Sequence, residues 1–146
     1  MTTDLAAAVG FASADEFREI FDRTFQAASD DEALGPQLRA AGIPQRLEFP
    51  DLGLVFNARA GREGEPNLHW VWSDAIDWTP QVGLTMDSEV ANRYFQGKEN
   101  FALAVARRRI RAGGEVKAAL AILQLQRPVF AHYRRLVASD YPHLEA

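Results

Sequence analysis

The chain has 146 residues, 47% of them hydrophobic and 25% charged, with a formal net charge of −4 and no cysteine. A chain of this length fits one domain, 1–146, able to bury roughly 70% of the surface its unfolded form exposes. The composition excludes a disulfide framework, a thiolate nucleophile and a cysteine-ligated metal, and the acidic balance argues against a nucleic-acid binder.

The first ten residues, Met1 to Gly10, have no basic region and only a short apolar run, so no signal peptide is expected there. Ser13 and Glu16 stand three apart as a capping box, and Phe17, Ile20, Phe21 and Phe25 recur at a helical period after them. Gly35-Pro36 and then Gly42 to Pro44 punctuate and end this helical region.

From Gln45 the period changes to two. Leu47 and Phe49 alternate with Arg46 and Glu48, Pro50-Asp51-Leu52-Gly53 reads as a turn, and Leu54 to Arg59 reads as the return strand of a hairpin. Leu68, Trp70 and Trp72 alternate in a third strand, and Val82, Leu84 and Met86 alternate in a fourth.

Helix then returns. Asp87 is placed to cap a helix that ends at Gly97, and a short helix runs from Asn100 through Val105. A strand around Arg109 to Ala112 closes at Gly113-Gly114. Glu115 to Gln126 is an apolar helix that Pro128 is expected to break or restart, before a last amphipathic segment from Val129 to Val137. No window reaches 18 consecutive apolar residues, which excludes a membrane-spanning helix. The C-terminal Pro142-His143-Leu144-Glu145-Ala146 carries neither a peroxisomal nor a prenylation signal. These features set the expectation of a cytoplasmic protein.

The run Leu84-Thr85-Met86-Asp87-Ser88-Glu89, then Tyr94 to Asn100, then Ile110-Arg111-Ala112-Gly113 and the apolar helix to Leu125 resembles the sterol carrier protein 2 family. One departure is visible: the family often has Gly shortly before its last strand, where this chain reads Arg107-Arg108-Arg109. The resemblance implies an α/β domain of the α+β type, with a five-stranded, mainly antiparallel sheet covered by helices on one face. It also implies an apolar tunnel between the layers for a sterol, fatty acid, acyl-CoA or phospholipid, with no cofactor. Half-buried alternating strands independently require a helical layer over one face.

On that reading the candidate ligand contacts are Trp70, Trp72, Leu84 and Met86 on the strands. Tyr94, Phe95, Phe101, Leu120, Leu123, Phe130 and Tyr133 are the candidates on the helices. Ordinary core packing is the competing account of each. Arg107, Arg109 and Arg111, with Arg108, form a basic set that could meet a lipid headgroup or an anionic membrane, or simply guard an edge strand with charge. Trp78, beside Pro80, reads as a loop staple or a rim residue. The three histidines show no metal or triad spacing, and no Gly-x-Ser-x-Gly occurs. The expected function is therefore non-catalytic binding and carriage of an apolar ligand, driven by about 0.8 kcal/mol per buried methylene. Two other readings compete with it: a cone-shaped cyclase- or isomerase-like enzyme with Asp77 or His69 as base, and a module that docks a protein partner.

Overall fold

A computed structural model describes residues 11–146, and the reading of Met1 to Gly10 lies outside the described residues. In chain order the elements are α1 (Ala14–Asp30), α2 (Leu34–Ala41), β1 (Gln45–Phe49), β2 (Leu54–Ala60), β3 (Leu68–Val71), β4 (Val82–Met86), α3 (Ser88–Phe95), α4 (Phe101–Ala106), β5 (Ile110–Gly114) and α5 (Val116–Asp140). A short 3₁₀ turn, Pro142–Leu144, follows them.

The five strands form one sheet in the order β3-β2-β1-β4-β5. Three of its pairings are antiparallel, and β1–β4 alone is parallel. The β1–β2 pair is the hairpin expected around Pro50 to Gly53, with Leu47 opposite Phe56. Because side chains alternate along a strand, Leu47, Phe49, Phe56, Val82, Leu84 and Met86 all turn inward and are buried.

Helix α1 starts as its sequence dictates. The Ser13 hydroxyl accepts from the Glu16 N–H at 3.1 Å, and Glu16 reaches back to the Ala12 N–H at 2.9 Å, one residue before the cap. The Phe17-Phe21-Phe25 stripe then meets the sheet, with Phe17 against Phe49 and Phe25 against Phe56, both at 4.7 Å between ring centres. From the other side, Phe95 of α3 closes on Phe21 at 4.8 Å, and Tyr133 of α5 lies 5.7 Å from Phe95. The space between the helices and the central strands is thus filled with aromatic rings.

Three local expectations are corrected. Pro128 neither breaks nor restarts α5, which runs unbroken from Val116 to Asp140. Proline removes the N–H that would bond the Gln124 carbonyl, but both residues are exposed, so water can take that carbonyl. Asp87 occupies the N-cap of α3 without a side-chain bond. Asp51 from the hairpin turn takes that part instead, accepting from the Ser88 N–H at 2.9 Å and the Ser88 hydroxyl at 2.6 Å. Strand β3 ends at Val71, so Trp72 lies just beyond it.

Candidate ligand-binding groove

The layers splay apart at the β5 edge of the sheet. There α3, the Gly97–Asn100 connection, α4, Ala112 of β5 and the exposed flank of α5 surround a groove of about 940 Å³, within the range of small-molecule sites. Tyr94, Phe101, Leu120, Leu123 and Phe130 form its walls together with Val105. The lining positions on α5 from Leu120 to Arg134 extend over about 21 Å at 1.5 Å per residue.

Five of the eleven residues expected to touch a ligand therefore come together. The other six lie elsewhere. Leu84, Met86, Phe95 and Tyr133 are buried in the core between the sheet and α1. Trp70 and Trp72 sit at the opposite edge of the sheet, where both indole N–H groups donate to one oxygen of Asp22, at 3.0 and 2.7 Å. Trp78 packs over the outer face, its ring 5.1 Å from the Arg59 guanidinium and 5.9 Å from the His69 ring. Asp77 is exposed and faces Arg62 at 3.6 Å. Among the described residues, the apolar space that these five contacts line is an open groove at one edge of the sheet.

The polar side chains of the lining are mostly committed. The Tyr94 hydroxyl donates to Gln126, whose amide donates in turn to Gln45 at 3.1 Å, and burial pushes the Tyr94 phenol well above its usual range. Asn100 caps α4 by accepting the Leu103 N–H at 2.9 Å. Glu99 is held by Arg109 and Arg93, each at 3.1 Å. Those two guanidiniums, Arg109 first, keep its carboxyl below the ordinary carboxylate range. The lining side chains outside the expected set include Val105 and Arg127, and also Arg134, which reads from the sequence as part of a solvated helix face; the i, i+7 spacings Leu120–Arg127, Leu123–Phe130 and Arg127–Arg134 were the available signal.

The basic set divides. Arg109 is tied to Glu99, while Arg107, Arg108 and Arg111 have no carboxylate within 4 Å among the described residues. Arg108, Arg109 and Arg111 border a hollow of about 460 Å³ that also contains Asp87 and Glu89. Arg108 adopts φ 59°, a left-handed conformation that favours glycine. Among the described residues, the exposed large hydrophobic side chains are Leu103, Val105 and Leu120, all on the two helices that frame the groove.

No family model matches the sequence, and no curated protein matches it. Solved structures do. A "UbiJ-SCP2 Ubiquinone synthesis protein" superposes with a TM-score of 0.53 at 11% identity, over 71% of this chain and 82% of its own. The sterol carrier protein domain 2 of Helicoverpa armigera gives 0.52 at 20% identity, over 79% and 87%. A double mutant of the sec-alkyl sulfatase PisA1 gives 0.53 at 14% identity; 80% of this chain is matched, but that match spans only 17% of the sulfatase.

Proposed function

From the sterol carrier protein 2 fold that this chain has, we propose that it binds a long-chain apolar ligand in the groove between α4 and α5. It carries or presents that ligand without altering it. The observation that supports this reading is the groove itself: about 940 Å³, walled by Tyr94, Phe101, Val105, Leu120, Leu123 and Phe130. An alkyl chain leaving water for those walls gains about 0.8 kcal/mol per methylene, offset in part by its lost freedom. Fatty acids, acyl-CoA, phospholipids and sterols are the ligand classes in question.

The groove opens beside exposed Leu103, Val105 and Leu120, and Arg107, Arg108 and Arg111 follow α4 in the chain. In this reading these residues make a transient contact with an anionic bilayer in the cytoplasm, at which ligand enters and leaves. Purified protein, delipidated and then mixed with a fluorescent alkyl probe, tests the proposal. Binding at micromolar concentration, lost in Leu123→Asp with folding intact, supports the carrier reading. Failure of the folded wild-type protein to bind the probe refutes it.

A further inference from the structure

Two polar side chains in the groove remain uncommitted. Arg127 and Arg134 both line it from α5, two helical turns apart on the same face. Among the described residues neither has a carboxylate within 4 Å. The carboxylate in the lining, Glu99, is already engaged by Arg109 and Arg93 and does not neutralise them. Gly97 lies directly against Arg134: a Cβ built on Gly97 would stand 3.2 Å from an Arg134 guanidinium nitrogen, so a side chain there would crowd it.

The groove is therefore polarised. Leu120 and Leu123 occupy one stretch of α5 with Val105 across from them, and Arg127, Phe130 and Arg134 occupy the next. Resting on the carrier reading above, we propose that the ligand is an amphiphile with a phosphate-type dianionic head, bound by Arg127 and Arg134. Its tail lies along Leu123, Leu120 and Val105. Two guanidiniums without internal partners complement a doubly charged head with three terminal oxygens better than a carboxylate, which one forked guanidinium can satisfy alone. Both arginines are exposed, so a neutral sterol would leave them hydrated and make no use of their charge.

Competition for an alkyl probe by hexadecyl phosphate, hexadecanoate and hexadecanol at pH 7 tests this. Hexadecyl phosphate should bind about tenfold or more tightly than hexadecanoate, a difference on the scale of one additional charge-assisted contact; hexadecanol should bind most weakly. Arg127→Gln and Arg134→Gln should each erase most of that preference while leaving hexadecanol unchanged, which reports an intact groove. Affinity for hexadecyl phosphate should also rise from pH 5 to 7.5, as the head loses its second proton near about pH 6, with hexadecanol flat. Inorganic phosphate at the same concentrations should displace nothing. Equal binding of the three heads, variants that keep the phosphate preference, a flat pH profile, or displacement by inorganic phosphate alone would each overturn the proposal. Binding of none of the three by folded protein instead refutes the groove as a carrier site.

Discussion

Tyr94 gives its ring to the groove wall and its hydroxyl to the buried side chain of Gln126 on α5. Gln126 passes the connection to Gln45 on β1, so α3, α5 and the sheet are tied together on the inner side of the groove. Tyr94→Phe keeps the apolar wall but leaves a buried amide short of a partner. The expected result is a loss of about 1–3 kcal/mol in chemical denaturation, with alkyl-probe affinity nearly unchanged.

Burial pushes the phenols of both Tyr94 and Tyr133 above their ordinary range. In the unfolded chain each titrates near about 10. The stabilisation from their protonated forms is therefore complete below pH 10 and is lost as pH rises above it, because the unfolded chain gives up protons first. The melting temperature should hold to about pH 9–10 and then fall. A Tyr94→Phe/Tyr133→Phe double variant should melt lower at pH 8 yet decline less steeply between pH 10 and 11.

How much of this was legible beforehand depends on the range of the interaction. The limits of β4, the Ser13 cap and the helix stop at Gly97 are written in neighbouring residues, and the structure has them where the spacing put them. Which aromatic residues face a ligand is not a local property. Tyr94 and Phe95 are adjacent on α3, yet one reaches the groove and the other packs at 5.4 Å against Phe130 from the core side. Trp70 and Trp72 have the right alternation to line a tunnel, but Asp22, 48 and 50 residues away in sequence, draws their N–H groups to α1.

The placement of Trp70 and Trp72 at the far edge predicts that contact quenching will fail. A brominated alkyl chain seated in the groove should leave tryptophan fluorescence nearly unchanged, since the walls hold tyrosine and phenylalanine but no tryptophan. Asp22→Ala should shift the emission to the red and cost about 1–3 kcal/mol, with two part-buried indole donors left unpaired. Its alkyl-probe affinity should match the wild type.

Core and groove residues should separate cleanly under mutation. Leu84 is 3% exposed and Leu120 is 59% exposed. Leu84→Ala should cost about 2–5 kcal/mol through the cavity it leaves without changing ligand affinity in the folded fraction. Leu120→Asp should change stability by no more than about 0.5 kcal/mol while weakening the alkyl probe. Melting curves and probe titrations on the same samples check both.

Arg108 stands at the departure from the family pattern, and its φ of 59° places a non-glycine residue where glycine would be unstrained. A left-handed conformation costs an L-residue about 1–2 kcal/mol, and among the described residues Arg108 makes no ion pair that offsets it. Arg108→Gly should therefore raise stability, by up to about 1 kcal/mol after the added freedom of glycine in the unfolded chain is subtracted. If the side chain is kept for an anionic bilayer, with exposed Leu103 and Val105 on the helix just before it adding apolar contact, the same substitution should weaken binding to vesicles containing phosphatidylserine. One basic residue near such a surface contributes about 1 kcal/mol, an effect that fades as salt shortens the screening length. Arg109→Gln is the control: Arg109 is tied to Glu99, so its loss should lower stability more than it lowers vesicle binding. Stability and membrane affinity moving in opposite directions in Arg108→Gly, in sedimentation assays at low and high salt, would establish the contact. Unchanged vesicle binding would leave the basic set as the charged guard of an edge strand.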